Sequence, residues 1–180
     1  MELIEPSTEY KDSFIEAVKE FQADNDYTNR NRRYRNLSIP KLENDFGSFV
    51  AEVGSHAEGK NLQEGYVPET EYWFVDNGEF IGRTSIRHRL NDKLTYIGGH
   101  IGYDIRPTKR GKGYGNKIFE LALRKGKELG LTRVLITSDA RNIASRKIIE
   151  KNGGVFENKV VNHEKGFEGF DALRYWIDIK

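Results

Sequence analysis

The stretch RPTKRGKGYGNK, residues 106–117, separates a strand-like pattern from an amphipathic helical pattern. Gly111, Gly113 and Gly115 alternate within it with basic and aromatic residues. A strand that enters a helix through glycines directs several backbone N–H groups toward one point, where the helix dipole favours an anion. Glycine also lets a phosphate approach closely because it has no Cβ atom. The stretch therefore predicts a phosphate or pyrophosphate site, with a tight glycine turn as the alternative.

Two widespread phosphate-binding motifs do not match this stretch. A Walker A loop requires G-x-x-x-x-G-K followed by Ser or Thr, and a dinucleotide fingerprint requires G-x-G-x-x-G. The glycines here are spaced G-x-G-x-G, and they follow a predicted hairpin in the middle of the chain. Glycine spacing alone therefore does not identify the anion.

The amino-terminal half predicts two helical segments and then antiparallel strands. The first helical face carries Tyr10, Phe14, Val18 and Phe21. A second helical pattern opens at residue 40, and strand-like runs flank an Asp-Asn-Gly turn at residues 76–78, which is typical of a hairpin. The run LTYIGGHIGYDIRP, residues 94–107, predicts a long strand, and its paired glycines indicate a bulge or a close backbone approach.

The carboxy-terminal half predicts alternating helices and strands. A helix follows the glycine stretch and ends at Gly130, and TRVLITSD, residues 132–139, predicts a central, buried strand. A helix follows Asn142, and the alternating tail at 170–180 is expected to pair with residues 155–161. The crossover between residues 100 and 137 favours a parallel neighbour, so we expect one domain, residues 1–180, of the α/β (α+β) class with a mixed sheet.

Composition excludes several classes of protein. The chain has 180 residues, a formal net charge of +1 and no cysteine, so neither a thiolate metal site nor a cysteine nucleophile is available. The balanced charge gives no general attraction to nucleic acid or to acidic membranes, and no apolar run approaches the roughly 20 residues of a membrane span. The four histidines are scattered without metal-ligand spacing. We expect a cytoplasmic protein that binds no metal, no nucleic acid and no membrane.

Two motifs in the expected order connect the sequence to a known family. Arg110, Gly113 and Gly115 match [RQ]-x-x-G-x-[GA], and NIASRKIIEKNGG, residues 142–154, is similar to N-x-x-S-x-x-x-x-E-K-x-G. The chain thus resembles the GNAT superfamily of acyl-CoA-dependent acetyltransferases, and IRHRLN and GGHIGYDIRP look like a poorly characterised branch of it. The resemblance implies a GNAT fold, in which about four helices flank a single mixed central sheet of about six to seven strands.

The resemblance also implies a site for acetyl-CoA, the acyl donor. In GNAT proteins the glycine loop binds the pyrophosphate through backbone N–H groups, and the preceding strand end pairs with the pantetheine arm where two strands splay apart. The positions that match these elements are Ile105, Arg106, Arg110, Gly111, Lys112, Gly113, Tyr114, Gly115, Asn116, Asn142 and Ser145. For Asn142, capping of the following helix is an equal alternative.

Catalysis requires that an amine lose a proton and attack the thioester, with a donor for the oxyanion and a proton for the thiolate. Many GNAT enzymes carry a tyrosine as the acid just before the Glu-Lys pair, but Ile149 occupies that position here. His100 is the first candidate for the base, with a structural histidine as the alternative, and Tyr103 is a further candidate. Tyr34 and Tyr66 lie in loops that are expected to rim the acceptor pocket.

Three functions fit the sequence to different degrees. The first is N-acetyl transfer to a small amine, an amino acid or a protein N-terminus. The second is a non-catalytic acyl-CoA-binding regulator, which the missing tyrosine favours. The third is nucleic-acid association through RNRRYR, residues 30–35, which the balanced charge disfavours relative to a solvated loop. Exposed edge strands are compatible with a homodimer, as the resemblance also implies.

Overall fold

A computed structural model describes residues 1–24, 32–161 and 171–179. The α-helices within these ranges are α1 (Lys11–Ala23), α2 (Arg32–Arg35), α3 (Ile39–Asn44), α4 (Phe46–Ser55), α5 (Asp92–Tyr96), α6 (Tyr114–Glu128) and α7 (Ile143–Lys151). The strands are β1 (Glu2–Ile4), β2 (Glu69–Asp76), β3 (Glu79–Arg87), β4 (Ile101–Ile105), β5 (Arg133–Asp139), β6 (Val155–Val161) and β7 (Asp171–Asp178). Four of these helices have nine or more residues, which agrees with the four helices expected; they are α1, α4, α6 and α7.

The strands form two antiparallel sheets. The first has the order β1-β2-β3-β4, and the second has the order β5-β7-β6. Asn77 and Gly78 have φ angles of 49° and 76°, and they form the predicted turn between β2 and β3. The predicted pairing of the tail with residues 155–161 is confirmed, and it places β7 at the centre of the second sheet.

The helices cover both faces of the first sheet. On one face, Phe14 of α1 stacks on Trp73 of β2 with 4.7 Å between the ring centroids, and the predicted helical face of α1 is buried there. On the other face, Ile118 and Phe119 of α6 are fully buried against β2, β3, β4 and the second sheet. Within the described residues, no helix combines the length and the apolar character needed to span a bilayer.

The predicted fold class and the expected number of strands, about six to seven, are confirmed among the described residues, but two sheets replace the expected single one. Strands β4 and β5 belong to different sheets, and an isolated bridge between Gly99 and Ile136 connects them. The predicted long strand at 94–107 is also shorter, because residues 92–96 form α5. The side chain of Asn91 caps this helix by accepting a hydrogen bond from the Leu94 N–H (2.9 Å).

Candidate functional site

A cavity of about 550 Å³ lies between β4 and β5. Its walls are all five residues of β4, the carboxyl half of β5, the glycine stretch before α6 and the first turns of α7. The cavity therefore begins where β4 and β5 separate and extends to the amino ends of two helices. Helix N-termini carry unpaired N–H groups and a partial positive charge, so this end suits an anion.

The backbone of β4 presents hydrogen-bonding groups to the cavity. The Arg87 N–H donates to the His100 carbonyl and the Arg106 N–H donates to the Ile81 carbonyl, both at 2.8 Å. Because alternate residues of an antiparallel strand face the same neighbour, Gly102 and Asp104 also pair with β3. Tyr103 and Ile105 therefore direct their N–H and C=O groups to the cavity side.

Strand β5 presents its backbone in the same way. Hydrogen bonds from Ala140 to Asp171 (2.9 Å) and from Ile179 to Thr132 (2.8 Å) extend the ladder with β7. By the same alternation, Thr137 directs its backbone groups away from β7 and into the cavity. The two facing backbones form a slot that an extended, amide-containing chain can enter by adding hydrogen bonds to its walls.

The glycine stretch is open toward the cavity. Gly111 and Gly113 have φ angles of 76° and 85°, and a Cβ atom at either position would meet no atom within 4 Å. A Cβ atom at Gly115 would instead lie 2.8 Å from Ile148, so this glycine allows α6 and α7 to approach closely. All three residues line the cavity.

Two predicted arginines anchor this stretch through hydrogen bonds to neighbouring elements. Arg106 is bound by Glu20 of α1 through Nε (2.8 Å) and Nη2 (2.7 Å). Arg110 donates to Asp24 (2.5 Å) and, through Nε, to the carbonyl of Ile105 (3.1 Å). Arg110 lines the cavity, whereas Arg106 is not among the lining residues. Both guanidinium groups fasten the start of the glycine stretch to neighbouring elements.

Lys112, Tyr114 and Asn116 have three different environments. Lys112 is exposed and lies outside the cavity wall. The Tyr114 hydroxyl donates to Asp76 at the β2–β3 turn (2.9 Å), also outside the wall. Asn116 lines the cavity, and its buried Oδ1 has no hydrogen-bond partner among the described residues. A buried acceptor without a partner is costly, so Asn116 offers an acceptor to a donor that enters the cavity.

The second motif meets the first across the cavity. Asn142 caps α7 by accepting a hydrogen bond from the Ser145 N–H (3.1 Å), so its capping role is observed, and it also lines the cavity. The Ser145 hydroxyl lies 3.2 Å from the Tyr103 hydroxyl. Tyr103 therefore places a phenol between β4 and α7. Ile149, at the tyrosine position of many relatives, is fully buried in the core.

His100 lies outside the set of residues that line the cavity. Its side chain is buried, and Nδ1 accepts a hydrogen bond from the Leu135 N–H (2.9 Å). A ring that accepts at Nδ1 is neutral and carries its proton on Nε2. Burial lowers the pKa of His100 below its ordinary value, and the positive charge of Arg87 acts in the same direction. This placement favours the structural alternative over a base in contact with substrate.

A buried group of charges on the other face of the first sheet was missed by sequence analysis. The Tyr34 hydroxyl donates to Asp104 (2.5 Å), and Arg83 bridges Asp104 (3.2 Å) and Glu71 (2.8 Å). Burial raises the pKa of Asp104, although Arg83 opposes this effect. Tyr34 is therefore a core residue, while Tyr66 is exposed. The loop with Tyr34 that is expected to rim the acceptor pocket spans residues 27–40, and its residues 27–31 lie outside the described ranges.

Comparison with solved structures shows the same overall fold. An N-acetyltransferase from Staphylococcus aureus Mu50 is 18% identical, with a TM-score of 0.66, and the match covers 99% of this chain and 98% of that one. The putative acetyltransferase yncA from Salmonella typhimurium, solved with acetyl-CoA, is 14% identical, with a TM-score of 0.63 and coverage of 97% and 91%. A Salmonella typhimurium enzyme that modifies the N-terminal serine of ribosomal protein L7/L12 is 16% identical, with a TM-score of 0.63 and coverage of 99% and 94%.

At these identities the structural matches establish the fold alone. A search of curated protein sequences found no significant match. The model of the acetyltransferase (GNAT) domain, however, matches residues 8–155, which is most of the chain and includes both motifs. The chain therefore belongs to the GNAT acetyltransferase family.

Proposed function

We propose that the protein is an N-acetyltransferase that uses acetyl-CoA as donor and a primary amine as acceptor. The observation that carries this proposal is the cavity between β4 and β5, which joins a two-sided backbone slot to the open glycine stretch. The slot suits the amides of pantetheine, and the N–H groups at the start of α6 suit the pyrophosphate. The acceptor is a small amine, an amino acid or a protein N-terminus, a range that includes the ribosomal-protein substrate of one structural relative.

The proposed reaction is direct attack of the amine on the thioester carbonyl in a ternary complex. Holding both reactants in one cavity supplies much of the rate, because the bimolecular step becomes effectively unimolecular. The C–S bond breaks as the C–N bond forms, the amine nitrogen gives up a proton to water, and the thiolate takes up a proton. Tyr103 is our candidate donor of that proton, because its hydroxyl lies in the cavity wall beside Ser145.

Acetyl-CoA and CoA binding, measured by isothermal calorimetry, tests the site. We expect Gly113→Trp to weaken binding by at least about 100-fold, or about 2.7 kcal/mol, since the indole fills the space intended for the pyrophosphate. Gly130→Trp is a matched control, because Gly130 also has a left-handed φ of 83° and open surroundings but lies after α6, away from the cavity. Equal binding by both variants, or no binding by the wild type, would refute the proposal.

A non-catalytic acyl-CoA-binding role remains the second candidate. The presence of Ile149 favours it, since an aliphatic side chain at this position cannot donate a proton. A screen of amines with acetyl-CoA distinguishes the two. Thiol release with any amine establishes transfer, whereas tight binding without turnover across amino acids, polyamines and peptide N-termini supports the binder.

A further inference from the structure

The chain changes its hydrogen-bonding partner at the point where β4 and β5 separate. The His100 N–H donates to the Leu135 carbonyl (2.7 Å), while the His100 carbonyl accepts from Arg87 of β3 (2.8 Å). The chain thus changes partner at His100, from β5 to β3. The Leu135 N–H then faces β4 without a β4 carbonyl, and the His100 ring accepts its hydrogen bond instead (2.9 Å).

The neighbouring glycines hold this arrangement in place. The Gly98 N–H donates to the Thr137 hydroxyl (3.1 Å), and Arg87 donates to the carbonyls of Gly98 (3.2 Å) and Gly99 (2.7 Å). The first residues beyond this junction, Ile101 on β4 and Ile136 on β5, already line the cavity. The junction is therefore the hinge point from which the slot opens.

We propose that His100 is a positioning residue whose neutral ring ends the β4–β5 pairing and so sets the width of the acetyl-CoA slot, which a protonated ring cannot do. This inference rests on the proposed function, because it concerns the same cavity. A protonated imidazole has donors on both nitrogens, so Nδ1–H would face the Leu135 N–H. Two donors in contact repel, and the buried Leu135 N–H loses its acceptor.

The charged surroundings of His100 in the described part of the chain act against protonation. Arg87, on β3, is the cation whose charge acts on His100, and Glu69 of β2 lies 3.5 Å from the Arg87 Nε, so it partly balances that charge. Leu135 and Thr137 of β5 do not titrate. Slot geometry is therefore stable near neutral pH. It is lost as the pH falls through the pKa of His100 in the folded protein, which lies below the ordinary value of 6.5.

Acetyl-CoA affinity of the wild type and two variants, measured by calorimetry, tests the proposal. In His100→Asn, the side-chain oxygen Oδ1 takes the place of the histidine Nδ1 as the hydrogen-bond acceptor. The amide does not titrate. We expect His100→Asn to bind within about threefold of the wild type and His100→Leu to bind about tenfold more weakly, as expected for a buried N–H that loses its partner. As the pH is lowered from about 7.5 through the lowered pKa of His100, the wild type should lose affinity, whereas His100→Asn should change little.

His88→Asn is the matched control. His88 follows β3 and its ring bonds to Thr70 (2.8 Å), so it reports any general effect of removing a partly buried histidine. This variant should keep the wild-type affinity and its pH dependence. Wild-type affinity in His100→Leu, or equal weakening in the Leu and Asn variants of His100, would overturn the proposal.

Amide hydrogen exchange provides a readout that does not require acetyl-CoA. The Leu135 amide should be protected in the wild type and in His100→Asn, and it should exchange at least about tenfold faster in His100→Leu, because its acceptor is lost. Unchanged protection in His100→Leu would show that the ring is not the acceptor. If the wild type fails to bind acetyl-CoA while the exchange pattern holds, the proposed function fails but the structural role of His100 stands.

Discussion

The two ends of β4 use glycine for opposite purposes. At the amino end, a Cβ atom on Gly99 would overlap the Leu135 carbonyl oxygen, and one on Gly98 would lie 2.8 Å from Leu94. After the carboxyl end, Cβ atoms on Gly111 and Gly113 would meet open space. All four residues have positive φ angles, so the backbone conformation alone does not separate the two pairs. What separates them is whether the space beside the glycine is filled by the protein or left for a ligand.

This contrast shows which parts of the site are rigid and which depend on anchoring. The amino end is fixed by packing and by bonds to Arg87, Leu135 and Thr137. The carboxyl end has little packing of its own, and it is held by bonds from its arginines to Glu20 of α1 and to Asp24 just after it. We expect changes at the amino end to affect folding stability first and changes at the carboxyl end to affect ligand binding first.

The largest effect is expected from Gly99→Ala. The left-handed conformation costs a non-glycine residue about 1–2 kcal/mol, and overlap with the Leu135 carbonyl adds about 1–3 kcal/mol. The free energy of unfolding, measured by urea denaturation, should therefore fall by about 2–5 kcal/mol. Gly111→Ala is the matched control, with a φ of 76° against 65° but no overlap, and it should cost about 1–2 kcal/mol. Equal losses of stability in the two variants would show that overlap with the Leu135 carbonyl adds nothing to the cost, so the two ends of β4 would not differ in this respect.

Sequence alone predicted the carboxyl end of β4 better than its amino end. The glycine stretch and the cap at Asn142 are local features whose geometry follows from a few adjacent residues. At the amino end, the sequence predicts that LTYIGGH belongs to one long strand over residues 94–107. The outcome instead depends on Asn91, which starts α5, and on contacts with Arg87 and β5 that are distant in the sequence.

The roles of the charged residues were also hard to predict. Arg106 and Arg110 match positions near the anion site, yet their side chains turn to Glu20 and Asp24, which lie more than 80 residues earlier. Glu71 and Asp104 alternate with apolar residues, a pattern that also fits a solvent-exposed face. Such carboxylates can be buried when cations on other elements of the fold pair with them. The sequence pattern alone does not show which residues form these pairs.

An intermediate effect is expected from Glu20→Gln, which weakens the anchor of the carboxyl end. Glu20 accepts hydrogen bonds from Arg106 and from the hydroxyl of Thr108 (2.8 Å). Loss of its charge should lower the free energy of unfolding by about 1–2 kcal/mol near neutral pH. Acetyl-CoA affinity should fall several-fold as well. Glu16→Gln, an exposed position on the same helix, should change stability by less than about 0.5 kcal/mol.

The effect of Glu20 should depend on pH in a defined direction. Burial alone would raise the pKa of Glu20, but hydrogen bonds from Arg106 and Thr108 lower it below the ordinary value of 4.5. A carboxylate with a lowered pKa stabilises the folded state above its ordinary pKa, and that contribution is lost as the pH falls through the lower value. The stability difference between the wild type and Glu20→Gln should therefore shrink below pH 4.5. A difference that is constant with pH would show that the anchor is not ionic.

The smallest effect is expected from Tyr103→Phe, midway between the two ends. The ring packs against Phe119 with 5.4 Å between centroids, so removing the hydroxyl should leave both the fold and the slot intact. If the hydroxyl donates the proton to the thiolate, kcat should fall about tenfold, or about 1.4 kcal/mol in activation free energy, with KM for acetyl-CoA nearly unchanged. Ser145→Ala removes a hydrogen-bonding contact of that hydroxyl and should lower kcat by no more than about threefold.

Comparing the two variants distinguishes a hydroxyl that donates the proton from a hydroxyl that only positions its neighbour. A larger loss in Ser145→Ala than in Tyr103→Phe would assign the proton to the serine and leave the tyrosine as its support. An increase in KM with unchanged kcat in Tyr103→Phe would mean that the hydroxyl only binds the donor, since uniform binding changes KM alone. In the second case Tyr103 would bind acetyl-CoA, as the carboxyl end of β4 is proposed to do, and solvent would protonate the thiolate.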